Sequence, residues 1–434
     1  MNLRENLLAA LRRQPCQRTP RWELGFWSGA IQRWYSEGLP GVEQAQRARE
    51  SYGSWVSSGG IGVGLNGERG REHDVSRFFG LDRGVACLDI NYNTCPAYPS
   101  EVLSETAEFI IRRDGFGIVS RIQKPELGMP EWIDYPVHNR QEWERFKAER
   151  YTPDLAPRLP RNWDALLTEY RARDYPLALG GGATGYFGSV RQILGLERTL
   201  TTLCDDPAWM HDMFDTLADF YVTLYDQVLT QIKPDLCVHW EDMCYVAGPL
   251  ISPRMFREFM LEPYQKLSGL LRDHGVDVLM VDTDGDCRTL IPLFMEGGVT
   301  ALYPFEVQSH MDVAEMRRLY PRLAMQGGID KKALAAGKEA IDRELARRVP
   351  AMLANGFIPH VDHATPPDVS FENFSYYRRK LDAMLDEFDA RRGAEAEVEA
   401  EVKVEVKAKP APTLTSTLTS TLTLTSTSDN CEGL

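Results

Sequence analysis

Three carboxylates stand close together in the second half of the chain. Asp282, Asp284 and Asp286 directly follow the apolar run 276–281, which has the composition of a buried strand. Like charges at this spacing repel one another unless a cation, a bound proton or a basic ligand neutralises them. Asp282 and Asp284 are therefore candidates for a catalytic or metal-binding site. Asp286 is also placed to cap the helix predicted to follow it.

A second cluster, His239-Trp240-Glu241-Asp242, combines an imidazole, a large flat apolar surface and two carboxylates at the end of another apolar run. Neighbouring residues of a strand point to opposite faces of the sheet. If Trp240 faces the surrounding helices, His239 and Glu241 face inward, and the reverse follows if the strand ends earlier. Both orientations stay open, so Glu241 and Asp242 are candidate site residues, and His239 is either a ligand or a hydrogen-bonded core histidine.

The third cluster is His360-Val361-Asp362-His363. Neutral imidazole groups beside a carboxylate suit either a metal ion or a general acid–base pair. The alternative is a loop in which these side chains only hydrogen-bond one another. We include His360 and His363 among the candidate catalytic residues.

These clusters belong to a wider pattern. Five apolar, strand-like runs in the second half each end in acidic or histidine side chains, with Glu306 following the third run. Buried parallel strands followed by polar residues at their carboxyl ends are typical of a (β/α)8 barrel, whose chemistry lies on that face. Helical patterns separate the runs. Eight candidate strands can be counted, near residues 22, 86, 177, 237, 278, 301, 324 and 358. The sequence therefore predicts an α/β fold, a single (β/α)8 TIM barrel.

Two segments depart from the alternating pattern. Residues 100–135 resemble antiparallel strands with a turn at Asp114-Gly115, and we interpret them as an N-terminal insertion that covers one end of the barrel. After about residue 390 the chain consists of Glu, Ala, Val and Lys, then of a Thr-Leu-Ser repeat almost without aromatic residues. Such a composition cannot build a packed core. We predict a barrel over residues 1–389 and a disordered tail without a catalytic role over residues 390–434.

Composition and charge narrow the class of partner. The net charge of −14 argues against nucleic acid or an anionic membrane as the main partner, while a small-molecule substrate remains compatible with it. The N-terminus lacks the apolar core of a signal peptide, and no run of about 18 apolar residues occurs. The eight cysteines are scattered without a Cys-x-x-Cys pair. We expect a cytoplasmic protein with reduced thiols that does not span a membrane, and a homodimer is compatible with the sequence.

The chain resembles the uroporphyrinogen decarboxylase superfamily from about residue 3 to residue 388. This superfamily also contains cobalamin-dependent methyltransferases, which move methyl groups between small substrates, corrinoid proteins and thiols. The resemblance implies a single (β/α)8 barrel. It rests on Pro20-Arg-Trp, on Gly182-Ala-Thr-Gly-Tyr-Phe-Gly, on Glu241-Asp-Met followed by Gly248-Pro-Leu-Ile-Ser-Pro, on Gly327-Gly-Ile-Asp-Lys and on Gly356-Phe-Ile-Pro-His.

Two motifs of the superfamily are replaced in this chain. Porphyrinogen decarboxylases carry Arg-Gln-Ala-Gly-Arg after the first strand to bind substrate carboxylates, whereas this chain has Glu23-Leu-Gly-Phe-Trp-Ser-Gly. An octa-acid substrate would meet a repulsive pocket there. Thiol-activating methyltransferases carry zinc ligands in His-x-Cys-Gly, where this chain has Asp282-Thr-Asp-Gly. Carboxylates can still hold zinc or a harder divalent ion, but the soft thiolate is absent.

We therefore predict one-carbon chemistry at an acidic centre. Asp282 and Asp284 would act with Glu241 or Asp242 and with His360 or His363, either by holding a divalent metal such as zinc, with His239 as a further ligand, or by protonating the substrate. The methyl group would leave to a corrinoid on a partner protein. The residues expected to contact the substrate are Trp22, Trp27, Tyr186, Trp240 and Glu306.

Two alternatives remain open at this stage. One is a decarboxylase that needs no cofactor, with an Asp stabilising the cationic intermediate and a His or Tyr handling the proton. The other is a corrinoid- or tetrapyrrole-binding protein without turnover, which would use the aromatic-rich region 22–55 as a platform. Bound metal and turnover of a carboxylated substrate would distinguish these readings.

Overall fold

A computed structural model of the chain describes residues 1–41, 55–56, 74–124, 129–181, 184–353 and 356–408. Residues 42–54, part of the predicted aromatic platform, lie outside the described residues. Two compact units are found, Met1–Asp389 and Ala390–Leu434. The first contains the four sheets of the described residues and the candidate site residues.

The described strands and helices alternate through most of the first unit. The strands are β1 (Phe26–Trp27), β2 (Trp55–Val56), β3 (Ala86–Cys87), β4 (Glu101–Glu105), β5 (Phe109–Arg113), β6 (Val119–Gln123), β7 (Glu131–Asp134), β8 (Leu177–Gly180), β9 (Leu236–Trp240), β10 (Cys244–Tyr245), β11 (Gly248–Pro249), β12 (Leu279–Asp282), β13 (Ala301–Phe305), β14 (Ala324–Ile329) and β15 (Phe357–Val361). The helices are α1 (Leu3–Leu11), α2 (Ser28–Ser36), α3 (Asp74–Phe79), α4 (Arg140–Arg150), α5 (Trp163–Arg171), α6 (Phe187–Leu194), α7 (Leu196–Asp205), α8 (Pro207–Leu229), α9 (Pro253–Phe259), α10 (Leu261–Asp273), α11 (Ile291–Glu296), α12 (Val313–Leu319), α13 (Lys331–Ala336), α14 (Lys338–Met352) and α15 (Phe371–Ala408).

The central sheet has seven parallel strands in the order β3-β8-β9-β12-β13-β14-β15. Neighbouring strands of this sheet follow one another in chain order with helices between them, which confirms the predicted α/β class and the parallel sheet. The first predicted strand contributes one parallel bridge, between Phe26 and Thr365 beyond the end of β15. The curled seven-stranded sheet is consistent with a TIM-barrel-like fold. Hydrogen bonds among the described residues form seven of its strands rather than the eight predicted.

Alternation along the strands separates two apolar layers. On β9, Val238 belongs to an inner cluster, whereas Cys237 packs into the larger outer core with the helices. The same two-residue period places Met280 of β12 inside and Val281 outside. The inner cluster contains Leu7, Leu11, Trp22, Leu24, Val85, Ala178, Leu236, Val238, Val278, Met280, Ala301, Tyr303, Ala324 and Ile358.

An antiparallel sheet of four strands, β4-β5-β6-β7, lies between β3 and β8 in the sequence. It confirms the excursion predicted over residues 100–135. The turn forms because the Asp114 carboxylate accepts hydrogen bonds from the backbone N–H groups of Phe116 and Ile118. The two outer strands are exposed along their whole length.

Short polar side chains begin the long helices, as their positions in the sequence predict. The Asp206 carboxylate accepts the backbone N–H of Trp209 at the start of α8, and the Ser252 hydroxyl accepts that of Met255 at the start of α9. Both caps are followed by proline at the first helical position, where its missing N–H costs nothing. No helix within the described ranges combines the length and the apolarity needed to cross a membrane.

The second unit begins in a helix. Residues 390–408 form the C-terminal part of α15, so the prediction of disorder from residue 390 is wrong for these residues. Ala and Glu, the most frequent residues of this stretch, are among the strongest helix formers, and this propensity opposes the disorder that the repetitive order predicts. Residues 409–434 lie outside the described residues, and their predicted disorder stays a prediction.

Candidate active site

A cavity of about 370 Å³ opens at the carboxyl ends of the parallel strands. This is the face on which the strand-end pattern predicted the site. Strand ends supply its acidic groups, the antiparallel sheet and the loops beside it supply apolar side chains, and α6 supplies a cation. The lining residues are Leu24, Trp27, Ile118, Met129, Trp132, Tyr135, Arg191, Gln192, Leu196, Trp240, Asp242, Asp282, Asp284, His363 and Ala364.

His363 and Asp284 form an ion pair among the acidic residues that line the cavity. The Nε2 atom of His363 lies 3.5 Å from Oδ2 of Asp284. Burial alone would lower the pKa of His363, but the hydrogen bond and the charge of Asp284 raise this pKa to about 9. Burial would raise the pKa of Asp284, yet the opposing effect of His363 is larger and holds it below its usual value. At neutral pH the pair is therefore an imidazolium and a carboxylate.

Asp282 is the carboxyl group of this cluster that has no ion-pair partner among the described residues. Burial, followed by the negative charges of Asp284 and Asp242, raises its pKa well above the usual value for an aspartate. The Tyr303 side chain, one strand away, hydrogen-bonds to it and opposes this shift in part. A carboxyl group of raised pKa and the imidazole of His363, a group that acid–base catalysis often uses, thus face the same cavity.

Asp242 is held by Arg191 of α6. Arg191 Nη1 donates to Oδ2 of Asp242 at 2.6 Å and also to its backbone carbonyl oxygen. The backbone of Asp242 has a φ of +41°, a left-handed conformation that aspartate tolerates better than most residues. Burial raises the pKa of Asp242, and the Arg191 charge opposes that rise.

The loop after Asp284 is fixed from behind by Glu306. Gly285 N–H donates to Glu306 Oε2 at 3.0 Å, while Glu306 Oε1 accepts from Lys331 Nζ at 3.1 Å. Gly285 has a φ of +80°, and a Cβ atom there would lie 2.5 Å from the backbone of Cys244. Glu306, predicted to contact the substrate, is not among the described lining residues and instead positions this loop.

The orientation of β9 decides which of its residues reach the cavity. Trp240 lines the cavity, so His239 and Glu241 point towards the helices. Glu241 is fully buried and accepts hydrogen bonds from the N–H groups of Tyr186 and Gly188, at 2.9 Å each, and from the Tyr264 hydroxyl. Burial raises its pKa to about 7. Glu241 is thus a core carboxyl group that anchors α6. Of the two orientations of β9 left open by the sequence, the structure has the one in which His239 and Glu241 face the helices and Trp240 faces the cavity.

Four other predicted residues are also buried away from the described cavity lining. His239 packs among tyrosine rings, and burial lowers its pKa to about 3. Tyr186 donates its hydroxyl to the Pro263 carbonyl. Burial lowers the pKa of His360 to about 4, and its Nδ1 lies 2.7 Å from the Val361 carbonyl oxygen. Trp22 belongs to the inner apolar cluster.

The structure thus brings together six of the predicted residues. They are Trp27, Trp240, Asp242, Asp282, Asp284 and His363. It adds Arg191 and Gln192 of α6, and Met129, Trp132 and Tyr135 in and beside β7. Met129, Trp132 and Tyr135 could be expected near the site, because the insertion was predicted to cover one end of the barrel. Nothing in the sequence marks Arg191 as the partner of Asp242.

The residues present do not fit the predicted zinc site. Among the described residues no three His, Cys, Asp or Glu side chains are arranged to hold a metal ion. His239, predicted as a further ligand, points towards the helices and not into the cavity.

Comparison with known proteins places the chain in a family. The model of the uroporphyrinogen decarboxylase (URO-D) family matches residues 116–382, which is more than half of the chain. The chain belongs to this family. A uroporphyrinogen decarboxylase of Serratia proteamaculans is 25% identical over 224 residues, which is 48% of this chain and 55% of the relative. That of Maricaulis maris is 28% identical over 117 residues, 26% of this chain and 33% of the relative. The chain thus spans from a third to just over half of these relatives.

The fold of this URO-D family member is also similar to that of a methyltransferase from Methanosarcina mazei. The TM-score is 0.55, the sequence identity is 14%, and the match covers 88% of this chain and 99% of the other. At this identity the likeness is one of fold. It supports the barrel-like arrangement of the seven parallel strands.

Proposed function

We propose that this URO-D family member is a methyltransferase that takes a methyl group from a small N- or O-methylated substrate by acid-assisted cleavage. The observation that carries the proposal is the joint presence of Asp282, Asp284 and His363 at one end of a cavity with aromatic walls. Such a cavity excludes bulk water from part of the substrate while it supplies protons to another part.

The chemistry requires a leaving atom that carries positive charge, either from a proton or, in a quaternary ammonium group, from its four bonds to carbon. An ether oxygen or amine nitrogen is a poor leaving group, because its electron pair is released at high energy unless a proton stabilises it. In the proposed step the bond from the methyl carbon to the heteroatom breaks and its electron pair stays on the heteroatom. His363, held by Asp284, provides the proton.

The charges of the cavity disfavour a polycarboxylate substrate. Arg191 and His363 are the cations among the described lining residues, and each is paired with an aspartate. Glu23, in the segment where porphyrinogen decarboxylases carry arginines, is fully buried and bound to Arg378 and Tyr377. An octa-acid tetrapyrrole would therefore find carboxylates without free cations. A volume of about 370 Å³ suits a small ligand.

The acceptor in this proposal is a corrinoid carried by a partner protein. A corrin ring with its side chains is much larger than the cavity, so the group would be presented by its own carrier at the opening. Bound there, it would supply a strong nucleophile for the methyl carbon. Met129 and Trp132 line the cavity and are 61% and 42% exposed, which provides an apolar rim for such contact.

The test is a methyl-transfer assay with free cob(I)alamin as acceptor. Purified protein is incubated anaerobically with ¹³C-methyl-labelled methoxyarenes, methylamines and quaternary ammonium compounds, and labelled methylcobalamin is detected by mass spectrometry. We expect transfer from at least one donor class. Asp284→Asn should lower the rate about 100-fold, the lower end of typical contributions from general acids. Asp286→Asn is the matched control, because Asp286 lies in the same loop but pairs with Arg288 outside the cavity.

Other outcomes would contradict the proposal. Release of CO₂ from a carboxylated substrate without any methyl transfer would favour the decarboxylase alternative. Tight corrinoid binding with no turnover of any donor would favour a binding protein. Equal rates for Asp284→Asn and Asp286→Asn would remove the acid pair from the mechanism.

A further inference from the structure

The cavity has one more carboxylate than it has cations. Asp242 pairs with Arg191 at 2.6 Å and Asp284 lies 3.5 Å from His363. Asp282 forms no ion pair with any residue that the structure describes, although it is 9% exposed and lines the cavity. A positively charged ligand is the group that would complete the charge balance of this site.

Aromatic side chains also line the cavity. Trp27, Trp132, Tyr135 and Trp240 all contribute to the lining. The faces of such rings carry negative potential and attract cations, the more strongly when water is excluded. Trp240 already takes part in such a contact, because the guanidinium carbon of Arg191 lies 5.6 Å from the centre of its ring. Several aromatic rings beside carboxylates form the usual environment for methylated ammonium groups.

We infer that the methyl donor is a small organic cation, either a quaternary ammonium compound or a protonated N-methylamine. This inference rests on the proposed function and narrows its substrate class. Asp282 balances the ammonium charge, while the aromatic walls contact its methyl groups. Neutral donors such as methyl ethers would leave the carboxylate excess uncompensated.

The chemistry balances for this class of donor. With a quaternary ammonium compound, the bond from carbon to nitrogen breaks, its electron pair stays on nitrogen, and a neutral tertiary amine results. The methyl carbon receives the electron pair of the acceptor nucleophile, the low-valent corrinoid of the proposed function. The amine then takes the proton of His363 and leaves as an ammonium ion, and solvent reprotonates the imidazole.

Binding of matched ligands tests the inference without turnover. Choline and 3,3-dimethyl-1-butanol have nearly the same shape, but only choline is charged. Isothermal titration calorimetry on the full chain, with tetramethylammonium as a second cation, measures both affinities. We expect choline to bind at least about tenfold more tightly than its neutral isostere. Equal affinities, tighter binding of the alcohol, or no binding of either cation would overturn the inference.

Variants test whether Asp282 and Trp240 cause the preference for choline over its neutral isostere. Asp282→Asn should reduce the preference for choline to about threefold or less, and Asp286→Asn should leave it unchanged. Trp240→Leu should weaken choline binding, whereas Trp240→Phe, which keeps an aromatic ring, should retain most of the affinity for choline. A preference that survives both Asp282→Asn and Trp240→Leu would overturn the assignment to this cavity.

The inference and the proposed function can fail separately. Transfer from methoxyarenes without cation binding would leave the methyltransferase in place and overturn the cation inference. Cation binding of the expected selectivity without methyl transfer would support the ligand class and contradict the transferase.

Discussion

The pairing of His363 with Asp284 makes a quantitative prediction for the variant Asp284→Asn. Asp284 raises the pKa of His363 from 6.5 to about 9 against the effect of burial. This difference of about 2.5 pH units corresponds to about 3 kcal/mol of preferential binding of the proton in the folded protein. In the variant the desolvation remains and the charge of Asp284 is gone, so the pKa of His363 should fall below 6.5.

The sign of the effect on stability follows from the same pKa values. A group whose pKa is raised on folding stabilises the protein fully below its unfolded pKa and no longer does so above its folded pKa. The contribution of His363 should be about 3 kcal/mol below pH 6, about 2 kcal/mol at pH 7.5 and close to zero above pH 10. Urea unfolding at these pH values should therefore show that the stability difference between wild type and Asp284→Asn narrows as the pH rises.

NMR titration of histidine-labelled protein measures the pKa directly. The chain has eight histidines, and His363→Gln identifies the resonance by its loss. Asp286→Asn is again the control and should leave the pKa of His363 near 9. A wild-type His363 that titrates near 6.5, or an unchanged pKa in Asp284→Asn, would refute the pairing and with it the proton donor of the proposed mechanism.

Two further predictions concern the framework around the site. Arg378→Met should lower the free energy of unfolding in urea by about 3–5 kcal/mol, because it leaves the carboxylate of Glu23 buried without its cation. Adding Glu23→Gln should recover much of this loss, and an unchanged unfolding midpoint in the single variant would contradict the prediction. Gly188→Ala places a methyl group 2.2 Å from the backbone oxygen of Trp240 and should cost at least about 1–3 kcal/mol. Gly269→Ala, in a helix with open space around it, should be neutral or stabilise by up to about 1 kcal/mol, and similar losses in both variants would argue against the close contact at Trp240.

The fold was predictable because its signal repeats along the chain. Five of the seven parallel strands, β9 and β12 to β15, are apolar runs that end in acidic or histidine side chains. The carboxyl ends of parallel strands lie at the same edge of the sheet, so the position of the cavity followed from the pattern. Asp282 and His363 could be chosen for this reason, although about 80 residues separate them. The sequence pattern of the first predicted strand, near Trp22, was weaker than that of the others. The structure correspondingly joins this segment to the rest by a single parallel bridge, at Phe26.

Which side chains of β9 face the cavity and which face the core could not be predicted. Alternation along a strand fixes only that neighbouring side chains point to opposite faces of the sheet. A shift of one residue in the end of the strand exchanges the two faces. Trp240 in the cavity requires His239 and Glu241 to lie among the helices, where Tyr264 and two backbone N–H groups satisfy the carboxylate. These partners come from a helix start and from α10, and no local spacing reveals them.

The replacement of a His-x-Cys-Gly zinc motif by Asp282-Thr-Asp-Gly acquires its meaning only from His363, which lies on another strand end. Two carboxylates alone would still permit a divalent metal. His363 beside Asp284 changes this, because it pairs with that carboxylate and leaves Asp282 without a cationic partner among the described residues. In the proposed function, this position therefore holds His363 in place as the proton donor of the reaction. In the proposed ligand class, the ammonium group of the donor is the cation that pairs with Asp282.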